Sequence, residues 1–138
     1  MIEMNKSQNH IPQGLRTWFV IHFVADMLFA IPLLFFPEKI MPWFGWVEID
    51  PIMSRLVGAA LLGIGVESLL SKNASKEVFR PFLRLKIIWA VGAILGIALG
   101  ISAGGPIQAW IFLAIFSIFL LVWVYYHYQL NKKDLHQK

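Results

Sequence analysis

The chain has 138 residues, of which 58% are hydrophobic and only 14% are charged, with no cysteine and a formal net charge of +4. Its mean hydropathy is +0.66. A soluble domain of this length cannot bury so much apolar surface in one core, so the composition indicates an integral membrane protein. The lack of cysteine excludes disulfides, thiolate metal sites and cysteine nucleophiles. At this hydropathy the basic excess favours an anionic membrane surface over nucleic acid as a partner.

Four apolar segments are long enough, or nearly so, to cross a bilayer as helices, which takes about 20 residues. They cover residues 15–36, 51–70, 83–102 and 107–128. The sequence therefore predicts an all-α, four-helix transmembrane bundle at 15–130, between a tail at 1–14 and a tail at 131–138. The first segment exceeds the apolar part of a signal peptide and no small-x-small cleavage site follows it, so we expect it to be retained.

The first segment, FVIHFVADMLFAIPLLFF, carries His22 and Asp26 in an otherwise apolar run. Four residues apart in a helix, the imidazole and the carboxylate share one face near the middle of the membrane. A charged carboxylate at that depth costs at least about 2.5 kcal/mol, so it needs a partner or protonation. Two interpretations stay open: an acid–base or ion-coupling site inside the membrane, and a buried polar pair that fixes helix packing.

The connection that follows, PEKIMPWFGWVEIDP, is too polar and proline-rich to cross a bilayer. We expect it to lie on the membrane surface with its tryptophans dipped into the interface. Aromatic residues near both predicted interfaces are typical of membrane-protein belts. On one side these are Trp18, Trp123, Tyr125 and Tyr126, and on the other Trp43, Trp46 and Trp110.

The second segment has a row of residues four apart whose middle members are small. The row consists of Arg55, Ala59, Gly63 and Glu67. Small residues let a neighbouring helix approach closely in a membrane, and we expect the first helix to do so. Arg55 is then predicted to reach toward Asp26, and Glu67 to face His22. Alternatively, Glu67 lies close enough to the interface to reach the basic residues that begin the third segment.

The third segment carries four glycines at intervals of four, in the stretch GAILGIALGISAG. They are Gly92, Gly96, Gly100 and Gly104. Such a stripe allows close backbone contact between helices in lipid, where no hydrophobic force drives their association. The turn SAGGPIQ predicts that the third and fourth helices form an antiparallel hairpin. We therefore favour packing of the glycines inside the bundle, and the alternative is a dimer interface.

Basic residues are concentrated on one predicted side of the membrane. Two of the twelve, Lys39 and Arg55, fall on the other side. Because positive charge is enriched in cytoplasmic loops, both termini are predicted to be cytoplasmic. The ten on the terminal side are Lys6, Arg16, Lys72, Lys76, Arg80, Arg84, Lys86, Lys132, Lys133 and Lys138.

No stretch of the chain matches a nucleophile elbow, a zinc protease motif, a phosphate-binding loop or a nucleic-acid-binding module. The sequence predicts no catalytic residue, no metal and no cofactor. His127 lies near the end of the fourth helix, and two histidines on different helices can hold haem. The favoured interpretation is an interfacial histidine in the aromatic stretch WVYYHY.

The stretch DPIMSRLVGAALLGIGVESLL, with PEKIMPWFGW before it, resembles a broad set of small four-helix bacterial membrane proteins, the DoxX-like families. Their shared pattern is a first helix ending in proline, a short aromatic loop, and a second helix formed here by Arg55, Leu56, Gly58, Ala59, Leu61, Leu62, Gly63 and Gly65. The resemblance covers about the first half of the chain and implies a four-helix bundle in a bacterial inner membrane. It implies no catalytic residue, and His22 and Asp26 lie outside its pattern.

Three functions remain in competition. The favoured one is an accessory or structural protein that binds lipid, a second copy of itself or a partner membrane protein, because no catalytic constellation is complete. The second is a small-molecule transporter that uses Asp26 or Glu67 to couple to a proton or cation. The third is an enzyme on a lipid or isoprenoid substrate, with His22 as base and Asp26 orienting it, which requires a cavity beside His22.

Overall fold

The structure, a computed structural model, describes residues 11–135 and contains helices and their connections but no strand over that range. The helices are α1 (Gln13–Phe35), α2 (Pro37–Ile40), α3 (Pro51–Leu70), α4 (Lys76–Ser102) and α5 (Ala109–Leu135). Single 3-10 turns lie at Met41–Phe44 and Ser71–Asn73. Residues 1–10 and 136–138 of the predicted tails, which include Lys6 and Lys138, lie outside the described residues.

The helices α1, α3, α4 and α5 are each long and apolar enough to cross a membrane. The predicted all-α, four-helix membrane bundle is thereby confirmed. Two of these helices extend past the apolar segments: α4 begins at Lys76 and α5 continues to Leu135. The added turns are rich in polar residues, which hydropathy alone does not assign to a span.

Side-chain and backbone caps set where α3 begins and α4 ends. Oδ1 of Asp50 accepts hydrogen bonds from the backbone N–H groups of Ile52 and Met53 at 2.9 and 3.2 Å, a standard N-cap. At the end of α4, Gly104 has φ +92° and the N–H of Gly105 bonds to the carbonyl of Gly100 at 2.9 Å. This is a Schellman motif, so Gly104 ends the helix rather than extending a packing stripe.

The close contact between α1 and α3 depends on Gly58 and Gly65. A Cβ on Gly58 would lie 2.9 Å from the backbone nitrogen of Leu34, and one on Gly65 would lie 2.7 Å from Cβ of Asp26. The prediction that the row of small residues at Ala59 and Gly63 faces α1 was therefore wrong, because the contact lies on another face of the same helix. Gly63 has no atom within 4 Å of its Cβ position, and Ala59 is exposed.

The glycine stripe of α4 does not pack inside the bundle. Cβ positions built on Gly92, Gly96, Gly100 and Gly104 meet no atom within 4 Å. The favoured interpretation of the stripe as intramolecular packing is therefore wrong. The predicted neighbour relation of α4 and α5 is confirmed, and Phe79 and Leu83 of α4 share a buried cluster with Trp123 and Leu130 of α5.

The described core lies at one end of the bundle, where α1 begins and α5 ends, here called the termini end. Seven residues form it: Ile11, Leu15, Phe19, Phe79, Leu83, Trp123 and Leu130. Toward the opposite, far end, α4 has no buried residue beyond Ala90, and α5 has none between Ala109 and Trp123. The α1–α3 and α4–α5 pairs are therefore packed tightly at the termini end and leave space between them at the far end.

Candidate functional site

His22 and Asp26 lie together on the inward face of α1. Their relative exposures are 5% and 7%, and Nδ1 of His22 is 2.9 Å from Oδ2 of Asp26. The spacing of four residues predicts this shared face. Although the two atoms are close enough for an ion pair, no donor among the described residues is aligned for a hydrogen bond with Oδ2. The carboxylate is thus held near the imidazole with unused capacity to accept a proton or a hydrogen bond.

Lys86 of α4 and Ser68 of α3 complete a buried polar network around His22. Nζ of Lys86 lies 2.6 Å from Oγ of Ser68 and 3.2 Å from Nδ1 of His22. The Ser68 hydroxyl donates to the carbonyl of Ile64 at 2.7 Å and lies 3.4 Å from the same Nδ1. Three helices therefore supply polar groups to one point inside the bundle.

Lys86 was predicted to be one of the basic residues on the terminal side of the membrane, and the structure places it inside the bundle. Lys86 is only 3% exposed. A signal for its burial exists in the sequence, because Phe79, Leu83, Lys86 and Ala90 follow the spacing of one helix face. All four are buried, so the lysine occupies a core position in an otherwise apolar row.

Aromatic rings surround the polar network at the termini end. Nζ of Lys86 lies 5.0 Å from the ring centre of Phe19 and 5.2 Å from that of Trp123, within the range of cation–π attraction. The His22 ring meets Phe119 edge to face at 4.7 Å. Trp123 is only 1% exposed, so its predicted place in an interfacial belt was wrong.

Arg55 does not reach Asp26. Its Nη2 lies 3.1 Å from Oε1 of Glu38, and both side chains are about half exposed at the far end. Asp26 sits beside Gly65, ten residues from Arg55 and therefore about 15 Å along α3, whereas Glu38 lies at the level of Arg55. The pKa of Glu38 is held below its usual value mainly by a hydrogen bond from the backbone of Glu38 and, to a smaller extent, by the contact with Arg55. An exposed pair of this kind adds little stability.

Glu67 does not face His22 in the way the sequence predicted. Its Oε1 accepts a hydrogen bond from Oγ of Ser71 at 2.5 Å. The next residue, Ser68, occupies the position toward His22, because each residue advances about 100° around a helix. Glu67 still adjoins the network, since it lines a small space of about 10 Å³ together with Ser68 and Lys86.

A cavity of about 340 Å³ lies between the helix pairs and has His22 and Asp26 among its lining residues. Along α1 its lining runs from His22 to Leu33, about 16 Å at 1.5 Å per residue. At the far end it is bordered by the connection after α1, including Trp46, and by Met53 of α3. Seven of its nineteen lining residues carry benzene or indole rings: Phe29, Phe44, Trp46, Trp89, Phe112, Phe116 and Phe119.

The network can hold a proton in alternative places. Nδ1 of His22 either carries a hydrogen or presents a lone pair to Lys86, and it cannot do both at once. Gain or loss of this proton therefore determines whether Nδ1 can accept a hydrogen bond from Lys86. The arrangement suits proton exchange linked to occupancy of the adjoining cavity. Within residues 11–135, no group of three or more His, Cys, Asp or Glu is placed to hold a metal ion.

Comparison of the chain with models of known protein families, with curated proteins and with solved structures found no match in any of the three.

Proposed function

We propose that this protein is a small multi-pass membrane transporter that binds a lipophilic small molecule in the cavity and couples its passage to a proton. The observation that carries this proposal is the contact between the cavity and a buried network of ionisable groups. Ionisable residues inside a membrane are costly and are therefore usually functional. A largely apolar pocket with a few convergent polar groups is the usual form of a small-molecule site.

The accessory role that the sequence favoured has less support from these contacts. That role requires His22 to pair with Glu67 and Asp26 to pair with Arg55 for packing. Neither pair forms. The membrane enzyme is the second candidate. It is favoured by the 2.9 Å contact of His22 with Asp26 beside a cavity, the arrangement of a base and the group that orients it.

The location proposed is the plasma membrane of a bacterium, as the resemblance to the DoxX-like families implies, with both termini cytoplasmic. The orientation follows from the uneven distribution of lysine and arginine. Because the chain has no cysteine, single cysteines report sidedness without background. A cysteine in place of the exposed Lys39 is expected to react with a membrane-impermeant maleimide in intact cells, and one in place of Lys132 only after lysis. The reverse pattern would overturn the orientation.

Native mass spectrometry of protein released from its own membranes in mild detergent tests the transporter proposal. We expect a discrete small-molecule adduct on the wild type. Ala25 lines the cavity, whereas Ala114 of α5 is exposed. Ala25→Phe fills the cavity and is expected to remove the adduct, and Ala114→Phe is the matched control that retains it.

Two results contradict the proposal: a wild type without any adduct, or an adduct that Ala25→Phe carries as fully as the control. The second result would place the molecule on the outer, lipid-facing surface. Circular dichroism of both variants checks that Ala25→Phe is folded. Conversion of the bound molecule during incubation with wild type, but not with His22→Gln, would favour the enzyme instead.

A further inference from the structure

We propose that the cavity takes a lipophilic organic cation and releases one proton for each cation bound; this assignment rests on the transporter function proposed above. Two features of the lining point to the charge of the ligand. The faces of aromatic rings attract cations, and Asp26 contributes a carboxylate at the deep end. No lysine or arginine is among the lining residues of this cavity.

The proton release follows from the charges around Asp26. The titratable groups that face the network are His22 and Asp26 from α1, Glu67 from α3 and Lys86 from α4. In the described part of α5, the residues that contact the network are Phe119 and Trp123, which carry no charge. Among the described residues, Lys86 is the cationic side chain shown in contact with this network, and it shares Nδ1 of His22 with Asp26.

An organic cation that enters the cavity competes with Lys86 for Asp26. Two positive charges beside one carboxylate in an apolar interior are unfavourable, so the ammonium of Lys86 gives up a proton and becomes a neutral amine. The charge of the network is then unchanged: one cation has entered and one proton has left. Glu67 and the small space that it lines with Ser68 and Lys86 offer this proton a way toward the termini end, since about 10 Å³ is at the lower limit for one water molecule.

The test measures binding of tetraphenylphosphonium, a lipophilic cation, to the purified full chain by isothermal titration calorimetry in detergent. Triphenylphosphine oxide serves as the neutral ligand of similar shape. Titrations in two buffers of different ionisation enthalpy count the protons released. We expect the cation to bind at least tenfold more tightly than the neutral ligand, with a release of about one proton and with affinity that rises with pH.

Three variants test whether charge, rather than packing alone, determines cation binding. Asp26→Asn is expected to weaken cation binding at least tenfold and to weaken neutral-ligand binding by a much smaller factor. Glu48→Gln, which removes an exposed acidic side chain, is the control and is expected to change neither. Lys86→Met is expected to tighten cation binding and to abolish proton release, whereas a purely structural lysine would weaken binding when removed.

The outcomes distinguish this inference from the function on which it rests. Equal binding of cation and neutral ligand, without proton release, overturns the cation assignment and leaves a transporter of neutral molecules. Binding of neither ligand also overturns it, and the native adduct measured above then decides the transporter proposal independently. Because proton release is counted on the wild type, the inference can be refuted even if Lys86→Met does not fold.

Discussion

Gly58→Val is expected to destabilise the bundle strongly, whereas Gly63→Val, five residues along the same helix, is expected to change its stability little. A Cβ on Gly58 lies 2.9 Å from the backbone nitrogen of Leu34 and 3.1 Å from the carbonyl oxygen of Ala30. Backbone atoms cannot rotate away, so α1 and α3 must separate. Overpacking of this kind costs about 1–3 kcal/mol and occasionally more. The Cβ position of Gly63 meets nothing within 4 Å.

The free energy of unfolding, measured by circular dichroism during titration from mild detergent into SDS, checks this prediction. The two substitutions have the same intrinsic cost in a helix, so their difference reports the contact with α1. An equal loss of unfolding free energy in both variants would contradict the close contact between α1 and α3 at Gly58. A larger loss of unfolding free energy for Gly63→Val would instead support the prediction from the sequence that Ala59 and Gly63 face α1.

Lys86→Met is expected to cost about 3–5 kcal/mol of unfolding free energy, because it leaves the buried Asp26 carboxylate without the cation that shares its contact with His22. Lys86 is 3% exposed, and both it and Asp26 contact Nδ1 of His22. When Asp26→Asn is added, the carboxylate charge is removed as well. The double variant should therefore lose less stability than the two single variants together.

A double-mutant cycle on the same unfolding titration measures this coupling, which is expected to be about 1–3 kcal/mol. Arg55 and Glu38 provide the control pair, since they carry opposite charges 3.1 Å apart but are about half exposed. Removing them, singly or together, is expected to have little effect. Additive losses for Lys86→Met and Asp26→Asn would show that the two groups do not share a network.

The candidate site was only half visible in the sequence. His22 and Asp26 were identified because polar residues are conspicuous in an apolar helix, and their spacing places them on one face. Their partners Ser68 and Lys86 were not identified. Arg55 and Glu67 lie at an equally plausible spacing on the second helix and were predicted instead. The choice between Glu67 and Ser68 depends on a rotation of about 100°, which spacing within one helix does not determine.

The amino-acid pattern alone was enough to predict a four-helix membrane bundle and roughly where its helices lie, because the length and apolarity of a span follow from the thickness of the bilayer. The packed face of each helix could be identified only from the contacts between helices. In a soluble protein the polar face marks the outside, but in a membrane the lipid-facing surface is as apolar as the interior. The glycines at 58 and 65 therefore look no different in sequence from those at 63 and 92, and Lys86 looks like an interfacial lysine. Backbone contact and burial, which arise only when the helices meet, distinguish them.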